Sequence, residues 1–209
     1  TLTISGSGDM PNYNWIKTDV FNGTGYSTAP WEDESSKIKK IVVGRGITKI
    51  GDYAFAGCTS LNAVSISSSV TGLGNNMFLN CRNLEQVILP EGIKSIPKAA
   101  FYKCTGLTNI VIPEGVTSIG ELAFAECKKL GSVIIPDSVV SIGEQAFQSC
   151  MSLREVRLPS NLKNLAPCVF MNCIEMQSVS IPVAMKRIEY GAFDMCYSLQ
   201  KISYAGSTY

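Results

Sequence analysis

A repeat of 23 residues runs through most of this chain and constrains its fold more than any other feature. Phenylalanine, cysteine and leucine recur together at a constant step, as in Phe124, Cys127 and Leu130. Seven phenylalanines and seven of the eight cysteines keep that step: Phe55, Phe78, Phe101, Phe124, Phe147, Phe170 and Phe193, and Cys58, Cys81, Cys104, Cys127, Cys150, Cys173 and Cys196. The repeat predicts a solenoid, because each copy can bury its apolar side only against the next copy.

A short alternating apolar segment in each copy predicts a strand. In "NIVIP" (residues 109–113), Ile110 and Ile112 should face the core and Val111 should face away, because successive side chains of a strand point to opposite sides. The proline that follows cannot donate to a ladder and ends the pairing. Stacked copies therefore predict a parallel β ladder on one face, with rungs about 4.8 Å apart. Short turns, strands or helical turns are expected on the other face, and "SIGEQAF" (residues 141–147) is interpreted as a short turn or a single helical turn.

The repeat as a whole resembles a known family, the BspA-like leucine-rich repeat proteins. The segment "IPEGVTSIGELAFAECKKLGSV" (residues 112–133) and its copies carry this resemblance over residues 38–204, and residues 2–15 and 29–55 look like the family's lead-in. These proteins are found largely on the surface of anaerobic oral and gut bacteria and in some mucosal parasites. The resemblance therefore implies a leucine-rich repeat solenoid at the cell surface or outside the cell.

One position of the repeat departs from the commoner leucine-rich pattern, in which asparagine or cysteine follows the strand by about three residues. Small residues dominate that position in this chain, which predicts a tight turn in place of a continuous asparagine ladder. The residues concerned are Gly46, Ser69, Gly92, Gly115, Ser138, Asn161 and Ala184.

The first 36 residues do not follow the repeat and are interpreted as a capping segment. They are rich in aromatic residues, namely Tyr13, Trp15, Phe21, Tyr26 and Trp31. Such a segment can cover the core that a terminal coil would otherwise expose, and a separate ligand-binding element is the alternative. The solenoid itself is predicted to span residues 37–209 and to form one continuous domain with the cap.

Short motifs near the two ends are assigned no functional role. The acidic run at residues 32–34 lacks the spaced ligands of a calcium loop and is interpreted as a solvated loop. Asn22 matches a glycosylation acceptor, which has no expected role in a bacterial protein. Residues 204–209 follow an eighth predicted strand, and they either cap the array briefly or lead into further chain. Thr1 stands where an initiator Met would be, so we expect it to follow a segment removed by processing or by design.

The composition argues against several classes of function. The chain has no histidine, which removes serine–histidine, cysteine–histidine and histidine–metal chemistry. Its 18 basic and 17 acidic residues give a net charge of +1, so nucleic acid is not an expected partner. Direct membrane insertion is not expected, because no apolar run approaches the roughly 20 residues that cross a bilayer. No pair of acidic residues breaks the repeat within the coils, so we predict neither an enzyme nor a cofactor or metal site.

The cysteines that follow the repeat are predicted to be buried, reduced thiols. They form no C-x-x-C pairs, and parallel side chains on neighbouring rungs hold their Cβ atoms beyond the roughly 3.8 Å that a disulfide prefers. Each should pack as a small apolar group and offer a weak S–H donor to a turn carbonyl. Cys127 should therefore resist thiol reagents, and Glu126, Lys128 and Lys129 around it should face water. Cys168 breaks the repeat, in a variable position that predicts surface exposure and reactivity.

The ladder face is the predicted binding surface, because its outward residues vary from coil to coil. The predicted contact residues are Glu85, Gln86, Ile88, Thr108, Asn109, Val111, Ser132, Ile134, Arg154, Glu155 and Arg157. Among them Ile88, Val111 and Ile134, together with Val42, should form an interrupted apolar stripe bordered by the two arginines. The alternatives are that β-branched residues simply suit strands, and that the opposite face binds.

These observations predict a noncatalytic protein-interaction or adhesion module of a bacterial surface or secreted protein. The expected partner is a host, neighbouring-cell or matrix protein, since the resemblance implies adhesion to extracellular matrix or to other cells. A passive structural spacer within a larger surface protein is the alternative.

Overall fold

The computed structural model describes residues 1–19 and 24–204. Phe21, Asn22 and residues 205–209 lie outside the described residues. The described chain winds as a succession of short strands and turns that repeats in every coil. The predicted repeat solenoid is confirmed, with coils of about 23 residues.

The first face of the solenoid carries the predicted parallel strands. Their register follows the repeat, as in Val111 opposite Ile134 and Arg157 opposite Ser180. With all strands numbered in chain order, this face holds β1 (Leu2–Ile4), β5 (Lys40–Val43), β7 (Ala63–Ile66), β8 (Gln86–Val87), β10 (Asn109–Val111), β12 (Ser132–Ile134), β14 (Glu155–Arg157), β16 (Ser178–Ile181) and β18 (Lys201–Tyr204). Hydrogen-bonded pairing divides them into three consecutive groups, in the orders β1-β5-β7-β8, β10-β12 and β14-β16-β18.

A second face carries shorter strands that also pair in parallel. "SIGEQAF" therefore differs from its interpretation as a turn alone, because it begins with a two-residue strand before the turns start. The tight turns predicted between the two faces are present in every copy, from Gly46 to Ala184. The strands of this face are β2 (Gly8–Asp9), β6 (Ile47–Lys49), β9 (Ser95–Ile96), β11 (Ser118–Ile119), β13 (Ser141–Ile142), β15 (Asn164–Leu165) and β17 (Arg187–Ile188).

A third face, here named the turn face, consists of consecutive turns with two left-handed positions in each coil. The first of these positions holds Tyr53 and Cys168 among others, and the φ angles of its members lie between 50° and 65°. A side chain in this region costs about 1–2 kcal/mol of backbone strain. Regular hydrogen bonds to the following coil offset that cost, as in Tyr53 N–H to the Asn75 carbonyl (2.9 Å). The first row is Tyr53, Asn76, Ala99, Leu122, Gln145, Cys168 and Gly191, and the second is Gly57, Asn80, Lys103, Glu126, Ser149, Asn172 and Met195.

The core is organised around a column of phenylalanine rings. Each of the seven rings stacks on the next, with centroids 5.2–5.7 Å apart. The first six are fully buried, whereas Phe193, in the last coil, is partly exposed. The alternation within the strands is as predicted, since Ile110 and Ile112 are buried while Val111 is exposed.

The capping segment follows the path of the solenoid for its first residues. β1 pairs in parallel with β5 and β2 with β6, so the segment adds one rung to each of the first two faces. An antiparallel hairpin follows, formed by β3 (Trp15–Asp19) and β4 (Thr24–Ser27). A 3-10 helix over Glu32–Lys37 leads into the first repeat, so the acidic run interpreted as a loop is instead its first turn.

Candidate binding face on the strand ladder

The outward side chains of the first face form rows, because equivalent residues of successive coils lie side by side. One row is polar and contains Gln86, Asn109, Ser132 and Glu155. The next row lies two residues further along each strand, and it contains Ile88, Val111, Ile134 and Arg157. All eleven predicted contact residues lie on the exposed surface.

Three residues of the second row form the apolar stripe, defined here as Ile88, Val111 and Ile134. Their exposed fractions are 83%, 66% and 67%, which are high values for large apolar side chains. Val42 does not extend the stripe. It is half-buried, and Ser65 stands opposite it in the register, between Val42 and the stripe.

Both predicted arginines lie beyond the C-terminal end of the stripe and are held by carboxylates. An Arg157 guanidinium nitrogen lies 3.2 Å from Asp137, and Arg154 Nε lies 3.3 Å from Glu175. Asp137 also accepts the backbone N–H of Ser160, and this bond together with Arg157 lowers the pKa of its carboxyl group. Because these pairs are exposed, they orient the arginines more than they stabilise the fold.

The ladder face has shallow depressions that could receive side chains of a partner. One of about 390 Å³ lies where the stripe meets the charged end, and Ile134, Glu155 and Arg157 contribute to its wall. A smaller one of about 180 Å³ lies between Ile88 and Val111. Aliphatic walls with a few fixed polar groups are typical of protein-contact surfaces.

The periodic cysteines link successive coils through their thiol groups. The thiol donates a hydrogen bond to the carbonyl of a phenylalanine in the preceding coil. Cys127 Sγ donates to Phe101 O (3.2 Å), and Cys150 Sγ donates to Phe124 O (3.3 Å). The Phe124 carbonyl also accepts the N–H of Cys127 in its own coil. The predicted S–H donation to turn carbonyls is thereby confirmed from Cys81 to Cys196, whereas the predicted burial is wrong for Cys196, which is half-buried in the last coil. In the described chain no disulfide joins the cysteines, and burial raises the pKa of Cys127 well above its ordinary value.

The model of the BspA type leucine-rich repeat region matches the chain in six copies, over residues 33–139 and 117–209. The chain belongs to the BspA type leucine-rich repeat family. Leucine-rich repeat proteins generally serve as protein-interaction or surface modules, and they are typically noncatalytic. No protein of curated function matches the chain.

Two solved structures of bacterial leucine-rich repeat proteins resemble this BspA type chain. A leucine-rich repeat protein from Bacteroides ovatus is 28% identical, with a TM-score of 0.80 over 95% of this chain and 53% of its own length. The T. pallidum leucine-rich repeat protein is 31% identical, with a TM-score of 0.74 over 90% of this chain and 88% of its own. The chain thus spans about half of the first relative and most of the second.

The described part of this BspA type solenoid has neither a membrane-spanning helix nor a metal-binding cluster. No helix among residues 1–19 and 24–204 is long and apolar enough to cross a membrane. The same residues contain no cluster of three or more acidic or cysteine side chains that could hold a metal ion.

The seven periodic cysteines form a row, here named the thiol row, and Cys168 lies outside it. Surface exposure was predicted for Cys168 because its position varies from coil to coil, but the structure shows a different environment. The position is the first left-handed position of the turn face and is half-buried, so its side chains project from a constrained backbone into partial contact with solvent. Partial burial, together with the charges of Glu144 and Asp194, raises the pKa of the Cys168 thiol. Glu126, expected to face water, is also half-buried and accepts a hydrogen bond from Tyr102.

Labelling of the native protein with a disulfide-exchange reagent should modify Cys168 quickly and Cys127 only on unfolding. Because the Cys168 pKa is raised, less thiolate is present at neutral pH, and its rate should keep rising as pH passes through 9. Mass spectrometry of peptides after timed labelling measures both rates. The C168S variant should lose the fast phase, and a fast phase that persists in this variant would contradict the assignment.

Proposed function

We propose that this chain is a noncatalytic protein-interaction or adhesion module of a bacterial surface or secreted protein, and that it binds its partner through the ladder face. The observation that carries the proposal is the apolar stripe, where three β-branched side chains in register are more than half exposed. Isolated exposed apolar residues are normal on any surface, but a contiguous row on a rigid support is typical of a contact site. The family and its usual location support the same conclusion.

The rigidity of the ladder favours binding over passive spacing. The backbone beneath the stripe is held by parallel pairing between β10 and β12, so its side chains are already in place before a partner arrives. The neighbouring polar row and the ion-paired arginines form a polar border on two sides of the stripe. A partner that offers an apolar centre with a polar surround would match this arrangement. The expected partner is a host, neighbouring-cell or matrix protein.

Two aspartates on the stripe, Val111→Asp with Ile134→Asp, should weaken partner binding by at least about 30-fold, because contact residues at the centre of an interface often contribute 1–2 kcal/mol each. Surface plasmon resonance against a panel of extracellular-matrix proteins, with adhesion to whole cells in parallel, measures the effect. Circular dichroism should show that the variant retains the fold, since both side chains point away from the core.

The matched control carries the same chemical change away from the ladder face. Val140 and Val183 are 57% and 78% exposed and lie outside the ladder strands, so V140D with V183D adds two equivalent charges elsewhere. This control should bind like the unchanged protein. Equal losses in both double variants would refute the ladder face as the contact surface. A protein that binds no member of the panel and no cell would instead support the passive spacer.

A further inference from the structure

A groove of about 280 Å³ lies on the turn face, where the cap hairpin meets the first coils. Tyr53, Asn76, Ala99 and Leu122 line it from the same position of four successive coils, so it extends over three rungs, about 14 Å. Trp15 of the hairpin stands at its N-terminal end. The groove shares no residue with the ladder face.

Aromatic rings wall the groove and are held in place by the fold. Trp15 lies nearly parallel to Tyr53, with centroids 6.4 Å apart and planes 17° apart. A Cβ at Gly25 would come within 2.6 Å of Trp15 Nε1, so only glycine lets the indole cross the hairpin there. Further along, the Tyr102 hydroxyl donates to Glu126 (3.1 Å), and burial and this carboxylate raise the pKa of Tyr102 to about 12. The rings therefore need little reordering to receive a ligand.

The groove concentrates positive charge on a chain whose net charge is only +1. Four cationic side chains line it and no acidic one does. Two of the cations form ion pairs with carboxylates at the rim. Lys98 lies 2.9 Å from Glu121, and Lys103 lies 3.8 Å from Glu126. Lys17 and Arg82 form no ion pair with a described residue, and Arg82 Nε donates to the Asn80 side-chain oxygen (2.7 Å). An anionic group entering the groove would meet these two cations.

The backbone of the groove is not available to a peptide. The N–H groups of Tyr53, Asn76, Asn80, Ala99 and Lys103 all donate to carbonyls of the following coil. A bound peptide would have to leave its own amide groups without backbone partners, which is costly on burial. The groove instead offers side-chain amides and a guanidinium between aromatic rings. Such groups suit a ligand with many hydroxyls and apolar C–H faces. The volume is just below the roughly 300–1,000 Å³ usual for small-molecule sites, which restricts the ligand to a short one.

We propose that this groove binds a short acidic saccharide, one or two sugar rings that carry a carboxylate. The C–H faces of the sugar pack against the rings of Trp15, Tyr53 and Tyr102. The Asn76 side-chain amide and the Asn80 amide NH2 bond its hydroxyls, because the Asn80 oxygen already accepts from Arg82. The carboxylate pairs with Lys17 and Arg82. The site is independent of the ladder face, so it gives the module a second contact with the glycan of a cell surface or matrix.

The probes that test the proposal are digalacturonic acid and galactobiose, which differ in having carboxylates or hydroxymethyl groups on otherwise equivalent rings. Calorimetry should show the acidic disaccharide binding at least about tenfold more tightly than the neutral one, because only the acidic one forms charge-assisted bonds. The acidic disaccharide should also change the tryptophan fluorescence of the protein, and Trp15→Phe should abolish this change. Equal affinity for the two sugars, or no binding of the acidic one, would overturn the proposal.

Charge-reversal variants separate the groove from general surface charge. K17E with R82E should lower the affinity for digalacturonic acid by at least about tenfold. The control K128E with K129E also reverses two exposed cations, and Lys128 holds the position equivalent to Arg82 two coils further on, outside the groove. The control should bind unchanged. Equal losses in both variants would refute the site, as would an acidic hexapeptide that binds as tightly as the sugar. The ladder variant V111D with I134D should bind the sugar normally, so either proposal can fail without the other.

Discussion

Replacing Phe124 by alanine is expected to lower the free energy of unfolding by about 4 kcal/mol. Phe124 is fully buried at the middle of the phenylalanine column, with its ring 5.3 Å from Phe101 and 5.2 Å from Phe147. The truncation removes apolar burial and both ring contacts, and it leaves a cavity that the flanking coils cannot fill without breaking their hydrogen bonds. Urea unfolding followed by circular dichroism measures the loss.

The matched control is Phe193→Ala, at the last and partly exposed ring of the same column. It has one ring neighbour instead of two, so its cost should be about half that of Phe124→Ala. Equal losses at the two positions would show that the column does not act as a packed core. A lower slope of the unfolding transition in Phe124→Ala would indicate that the solenoid unfolds in two parts at the cavity.

Replacing Trp31 by alanine should cost about 3–4 kcal/mol, because the substitution uncovers the N-terminal end of the column. The indole stacks on Phe55 with centroids 5.8 Å apart, forms a T-shaped pair with Tyr13 at 5.6 Å, and donates its Nε1–H to the Ala54 carbonyl at 2.8 Å. Trp31 therefore extends the phenylalanine column by one ring at its N-terminal end. Calorimetry should show the melting temperature falling by about 6 to 16 °C for a chain of this length.

Trp31→Phe separates the stacking of the indole from its hydrogen bond. Phenylalanine can stack on Phe55 but leaves the Ala54 carbonyl without its donor, so the expected loss is only about 1 kcal/mol. If Trp31→Ala were no more costly than Trp31→Phe, the ring would not be needed to cover the column.

The repeat alone predicted the solenoid, the parallel ladder and which strand residues face the core. These predictions succeeded because each depends on a local rule applied many times. Alternation places Ile110 inward and Val111 outward, and a constant step places Val111 beside Ile134 whatever the rest of the coil does. The hydrogen bonds of the thiol row were predicted in the same way, because thiol groups that repeat in register lie next to equivalent carbonyls.

Such local rules could not predict the backbone conformation of the turn face. Tyr53 and Leu122 adopt left-handed backbone conformations that their residue types disfavour, and only the hydrogen bonds to the next coil hold them there. The groove between Trp15 and Tyr102 was missed for a related reason. It joins the cap to the first four coils, and the cap residues carry no periodicity that could place them against the repeat.

By itself, the sequence determined the coil length, the register and the composition of each row, because these follow from a fixed period. The tertiary structure alone decided how far each row is exposed and what lies beside it. It shortened the apolar stripe by half-burying Val42, and it brought Lys17 of the hairpin to the same groove as Arg82. The physical reason is that the period specifies contacts between equivalent residues of successive coils, whereas contacts with the cap depend on a chain path that does not repeat.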